Sequence, residues 1–207
     1  MNVWNGGVRR SIDAAWIGAA FCAALVLAVS LLVALGIDNK GVHAALAATA
    51  RFQFLLFWVA YSASALTSLF GPVFQPLKQH AREFGLAFSS ALFVHLGLVV
   101  LLCLVGTAPP LATFIFFGIA AALAYLLALF SIPRLHRALG SRYWSLFSFM
   151  AMNYLALAFF VDFWKEPLHG GTRHIVEYLP FAILAVAGPA LRLAAFAKRL
   201  GKGSSYR

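Results

Sequence analysis

The chain has 207 residues, of which 63% are hydrophobic and only 11% charged, yet its formal net charge is +10. Its mean hydropathy is +0.88. A water-soluble domain carries about a quarter of its residues as charges, so this composition excludes an ordinary soluble globule and requires a surface that faces lipid. The basic excess sits in short clusters between apolar runs, the pattern of topology determinants and anionic-lipid contacts rather than of a nucleic-acid-binding stripe.

A hydrocarbon core of about 30 Å takes roughly 20 helical residues per crossing. On that measure the sequence predicts an all-α integral membrane bundle of six transmembrane helices. The spans fall at Ala14–Gly36, Ala50–Val73, Phe84–Gly106, Leu111–Ser131, Tyr143–Trp164 and Val176–Phe196. Residues 1–13 are then an N-terminal segment, 14–197 the transmembrane domain and 198–207 a short, disordered basic tail. Arg9, Arg10 and the run after them do not make a cleavable signal, because the run is too long and lacks a small-residue cleavage site.

The breaks carry turn chemistry. Gly36 to Gly41 is a polar turn after the first span, Gly71, Pro72 and Pro76 end the second, and Pro109-Pro110 separates the third from the fourth. Pro133 ends the fourth, and Pro167 with Gly170-Gly171 opens a loop before the sixth. Pro180 and Pro189 are expected to kink the last span or mark its first turn.

Lys and Arg divide unevenly between the two sides. With the N-terminus cytoplasmic, one side holds Arg9, Arg10, Lys78, Arg82, Arg134, Arg137, Arg142, Arg192, Lys198, Arg199, Lys202 and Arg207; the other holds Lys40, Arg51, Lys165 and Arg173. Twelve against four places both termini in the cytoplasm. Trp4, Trp16, Trp58, Tyr143, Trp144 and Trp164 stand near span ends, where interfacial aromatics belong. Cys22 and Cys103 lie inside apolar runs as small buried hydrophobes, not as a disulfide.

Inside a membrane the informative residues are the polar ones. His95 lies roughly 18 Å along the third helix from its cytoplasmic end. Its plainest role is a neutral histidine hydrogen-bonded to a serine or tyrosine of a neighbouring helix; its functional role would be an axial ligand of haem iron. Asn153 in the fifth span is expected to face a partner helix. Tyr61, Ser62, Ser64, Thr67 and Ser68 give the second span a polar face, suited to helix–helix hydrogen bonds or to a cavity for a quinone or small solute. His80 and His136 belong to cytoplasmic loops and His43 to the first external loop. His169 and His174, with Glu166 and Glu177 nearby, read as an ordinary solvated loop, the alternative being a metal site or an anion-facing patch, although the spacing matches no zinc signature; Asp162 pairs with Lys165.

The segment Arg82-Glu83-Phe84-Gly85-Leu86 followed by His95 resembles the third helix of the ferric reductase-like transmembrane family, which includes the haem-binding membrane subunit of the bacterial methionine sulfoxide reductase system. Arg137-Ala138-Leu139-Gly140, Trp144 and the aromatic run to Phe163-Trp164 are similar to the family's approach to its fifth helix. The resemblance implies haem b held by His95, and an electron-transfer subunit of a bacterial inner-membrane oxidoreductase served by a redox partner protein or quinone. The sequence departs from the pattern at Ser148 and near Val161 and Asp162, where the family places histidines. No glycine-rich nucleotide loop or hydrolase motif accompanies these residues. The alternative is a haem-free six-helix protein, a transporter or an assembly partner, in which His95, Asn153 and the serines tie helices together.

Overall fold

The structure is a computed structural model. It describes the backbone of residues 3–132, 135, 137, 140–169 and 172–204, and the side chains of 14–132, 135, 137, 140–164 and 178–201. His136 and the side chains of Lys165, Glu166, His169, Arg173, His174 and Glu177 lie outside the described residues, and with them the expected loop site and the Asp162–Lys165 pair.

Long helices account for nearly all of the chain. In order they are α1 (Val3–Leu35), α2 (Asn39–Phe70), a 3-10 turn (Pro72–Phe74), the short α3 (Gln75–Gln79), α4 (Ala81–Leu104), α5 (Leu111–Phe130), α6 (Ser141–His169) and α7 (Thr172–Ser204). Six of them contain stretches long and apolar enough to cross a membrane: Ala14–Leu35, Asn39–Phe70, Ala81–Leu104, Leu111–Phe130, Ser141–Trp164 and Tyr178–Gly201. Large apolar side chains such as Val26, Val33, Leu104 and Leu193 point outward, as in a bundle solvated by lipid chains.

Three sequence expectations change. The second helix begins at Asn39, eleven residues before the expected span, because the turn after α1 is much tighter than a six-residue loop. Gly36, at φ 95°, donates its N–H to the Leu32 carbonyl at 2.9 Å and ends α1 in the left-handed conformation. Asp38 then caps α2: its Oδ1 accepts the Gly41 N–H at 2.8 Å, and its carbonyl accepts Val42 N–H at 3.0 Å. A Cβ on Gly41 would collide with the Gly36 carbonyl oxygen, so the turn needs both glycines. Asp38→Ala should therefore cost about 1 kcal/mol of stability, read as a lower unfolding midpoint in detergent, with Asp38→Asn close to wild type. His43 consequently lies near the start of α2 rather than in an external loop.

The other two changes concern the last helix. Helix α7 starts at Thr172, so Pro180 and Pro189 are both interior and neither marks a first turn. It also continues to Ser204, carrying the expected disordered tail forward as helix. Of the cysteines, both are free, but Cys22 is exposed on α1 rather than buried.

The chain divides into two compact units. The first comprises Met1–Phe57 and Arg82–Ala121, the second Trp58–Ala81 and Ala122–Arg207. The first is built on small residues: Ala24 and Ala28 of α1, Ala45 of α2 and Ala91 of α4 form a core with Val94 and Leu98. Alanine stripes let helix backbones approach closely where lipid supplies no hydrophobic drive for association. Ser90 Oγ donates to the Ile17 carbonyl at 2.7 Å, and Trp16 packs on Phe84 at 5.0 Å between centroids, joining α1 to α4. In the second unit α6 and α7 pack through Phe163, which stacks on Phe181 at 5.4 Å and on Phe159 at 6.1 Å.

Candidate functional site

Each unit holds a polar centre within its apolar helices. In the first, His95 of α4 is half-buried and its Nδ1 lies 2.9 Å from Thr49 Oγ1 on α2. Thr49 is almost fully buried, and its hydroxyl also lies 2.8 Å from the Ala45 carbonyl and 3.1 Å from that of Leu46. A hydroxyl has one proton to give. With that proton on the helix carbonyl, Thr49 Oγ1 accepts from His95, which assigns the neutral Nδ1–H tautomer and leaves the Nε2 lone pair bare. The partner is thus a threonine rather than the serine or tyrosine expected. One turn further along the same face of α2, Gln53 is also buried, and its Oε1 has no partner among the described residues. The sequence pattern Thr49-x-x-x-Gln53 on an apolar helix is the signal that would have found it.

Haem makes two demands that test this centre. An axial histidine normally donates its second ring nitrogen's proton to an oxygen acceptor while Nε2 faces the metal, and His95 with Thr49 meets that condition. A six-coordinate b-type haem also needs a second ligand from a facing helix. The unit that holds His95 contains one other histidine, His43, which is exposed near the start of α2. At the fifth-helix position of the resembled family, Ser148 Oγ turns back onto the Ser145 carbonyl at 3.2 Å, and Met150 beyond it faces outward. His80 is exposed in the turn between α3 and α4. Among the described residues, His95 meets the first of these two demands.

The second unit's centre was not expected. Arg192, counted from sequence among the cytoplasmic cations, lies on α7, four residues before the end of the expected sixth span at Phe196. Its guanidinium carbon sits 4.4 Å from the Tyr61 ring centroid and 5.7 Å from that of Phe149. Tyr61 is buried on α2 and donates its hydroxyl to Asn153 Oδ1 on α6 at 2.8 Å. Asn153 in turn donates Nδ2–H to the Phe149 carbonyl at 2.7 Å. So Asn153 does face a partner helix, and that partner presents a cation–π platform.

Helix α7 is shaped to reach this platform. Trp58 Nε1 donates to the Leu184 carbonyl at 2.8 Å, beside the Ala185 carbonyl that Pro189 deprives of its usual amide partner. Gly188 lets the aromatic pair approach: a Cβ there would stand 3.2 Å from Tyr61 Cδ1 and 3.3 Å from Trp58 Nε1. Nearer the helix end, Lys198 Nζ donates to the Ser68 carbonyl at 2.8 Å and to that of Leu69 at 3.2 Å, capping the C-terminus of α2.

No carboxylate among the described residues forms an ion pair with Arg192. Stacking of the guanidinium on aromatic rings is worth roughly 0.5–2 kcal/mol. The guanidinium also interacts with the Tyr61 hydroxyl, so part of its N–H fork is engaged within the site. Among the described residues no three His, Cys, Asp or Glu side chains gather into a metal cage. No family model, no curated protein and no solved structure matches the chain.

Proposed function

We propose that this chain is a haem-free multi-pass protein of the bacterial inner membrane, with both termini cytoplasmic, that binds a ligand between its helices as a transporter or assembly partner. Arg192 carries the reading. A cation seated on two aromatic rings among apolar helices, with no carboxylate partner among the described residues, supports a binding site, because replacement by an apolar residue would remove the cost of burying it. Twelve basic residues on the side of the termini against four on the other support this orientation. On this reading His95 and Thr49 tie α2 to α4 within the first unit.

The bare Nε2 of His95 favours a second reading, that of the ferric reductase-like resemblance, in which His95 holds haem b for electron transfer from a redox partner protein or quinone. Haem would supply a one-electron carrier there, and the chain's own contribution would be the Thr49 bond that fixes the imidazole. One spectrum separates the two. Protein purified from haem-replete cells is expected to be colourless in the visible region, oxidised or dithionite-reduced. A Soret band with sharp reduced α and β bands, lost in His95→Ala, would overturn the haem-free reading.

A further inference from the structure

We propose that Arg192, seated on Tyr61 and Phe149, binds the oxyanion of an anionic amphiphile that enters from the bilayer. This names the ligand class of the site on which the haem-free reading rests, and its test does not depend on the haem spectrum.

Three observations carry it. The first is charge. Arg192 of α7 has no carboxylate partner among the described residues, and beyond its contact with the Tyr61 hydroxyl its fork of N–H donors matches the paired oxygens of a phosphate or carboxylate. Lys198, the next cation along α7, is engaged by the Ser68 and Leu69 carbonyls, so it does not serve the same ligand.

The second is pre-organisation. Tyr61 is held by its bond to Asn153, Asn153 by the Phe149 carbonyl, and Trp58 by Leu184. A guanidinium laid on a fixed ring loses little further freedom when a ligand arrives, which favours binding over diffuse ion pairing.

The third is access. The Phe149 ring is 59% exposed and faces outward with Leu146 and Met150 of α6, while Leu193 and Phe196 face outward on α7 beside Arg192. The cation is therefore approached along an apolar surface that an acyl chain covers. It stands six residues before Lys198, about 9 Å of helix rise below the level at which α2 ends. A ligand that lays an apolar tail on that surface and sets its charged head on Arg192 is an amphiphile rather than a water-borne ion.

The test uses the full chain, delipidated in dodecyl maltoside. Dioleoyl phosphatidylglycerol is expected to raise the unfolding midpoint by about 3 °C or more, while dioleoyl phosphatidylcholine and sodium phosphate do not. Arg192→Gln should lose the rise and Lys198→Gln should keep it. An equal rise in Arg192→Gln, or from phosphatidylcholine, overturns the proposal. A full rise with sodium phosphate alone overturns the bilayer as the ligand's source. Should Arg192→Gln not fold, native mass spectrometry of the wild-type protein decides. Preferential retention of one phosphatidylglycerol over phosphatidylcholine supports the site, and equal loss of both overturns it.

Discussion

Gly188→Leu is expected to lower the unfolding midpoint of the detergent-solubilised protein by roughly 6–12 °C, equivalent to about 3 kcal/mol. Even a Cβ at this position meets the Tyr61 ring at 3.2 Å and the Trp58 indole nitrogen at 3.3 Å. Neither neighbour is free to retreat, since Tyr61 is bonded to Asn153 and Trp58 to the Leu184 carbonyl. An isobutyl group would have to break one of those bonds or push α7 away from α2, and would displace Tyr61 from beneath Arg192 in either case. Gly188→Ala is different in kind. It needs a shift of only a few tenths of an ångström and gains up to about 1 kcal/mol of helix propensity, so its midpoint should stay near wild type. A Gly188→Leu protein as stable as Gly188→Ala would show that the contact between α7 and the Trp58–Tyr61 face does not exist.

The sequence announced the six apolar helices because their lengths and the proline and glycine breaks between them are local properties. The second helix began earlier than expected because a run of Gly, Ile, Asp, Asn, Lys and Gly has the composition of a loop. Only the cap geometry of Asp38 shows that three of those residues already belong to α2. The partner of Arg192 was not legible for a related reason. A cation close to a basic tail is naturally counted with it, whereas its seat depends on Tyr61, 131 residues earlier in the chain. The same holds for Trp58, which belongs by composition to the aromatics of span ends but donates to a carbonyl inside α7. Asn153 and His95 were legible as residues that needed partners, because a buried polar group in a membrane helix has few alternatives. Their partners were not legible, since periodicity fixes the face of a helix and not which neighbour it meets. The haem expectation rested on spacing around one histidine, and spacing within one helix carries no information on a second ligand from another.

The His95–Thr49 bond yields the second large expectation, and it is an asymmetric one. Thr49→Val keeps the shape of the side chain but removes the only acceptor found among the described residues for the His95 Nδ1–H. Stranding that donor should cost about 1–2 kcal/mol, a loss of roughly 2–8 °C in midpoint. His95→Leu strands nothing, because the Thr49 hydroxyl still donates to the Ala45 carbonyl. It should therefore cost less than Thr49→Val despite being the larger change. In the double variant, Thr49→Val with His95→Leu, the two introduced apolar side chains meet without an orphaned donor, so its stability should return to that of His95→Leu alone. Such a cycle isolates the pair from the rest of the core. A Thr49→Val protein as stable as wild type would show that the bond carries no net energy, and would remove it as the tie between α2 and α4. The reverse order, with His95→Leu the more costly, would mean that the imidazole makes its important contact through Nε2. That outcome would shift the weight from a helix tie to a ligand on the far side of the ring.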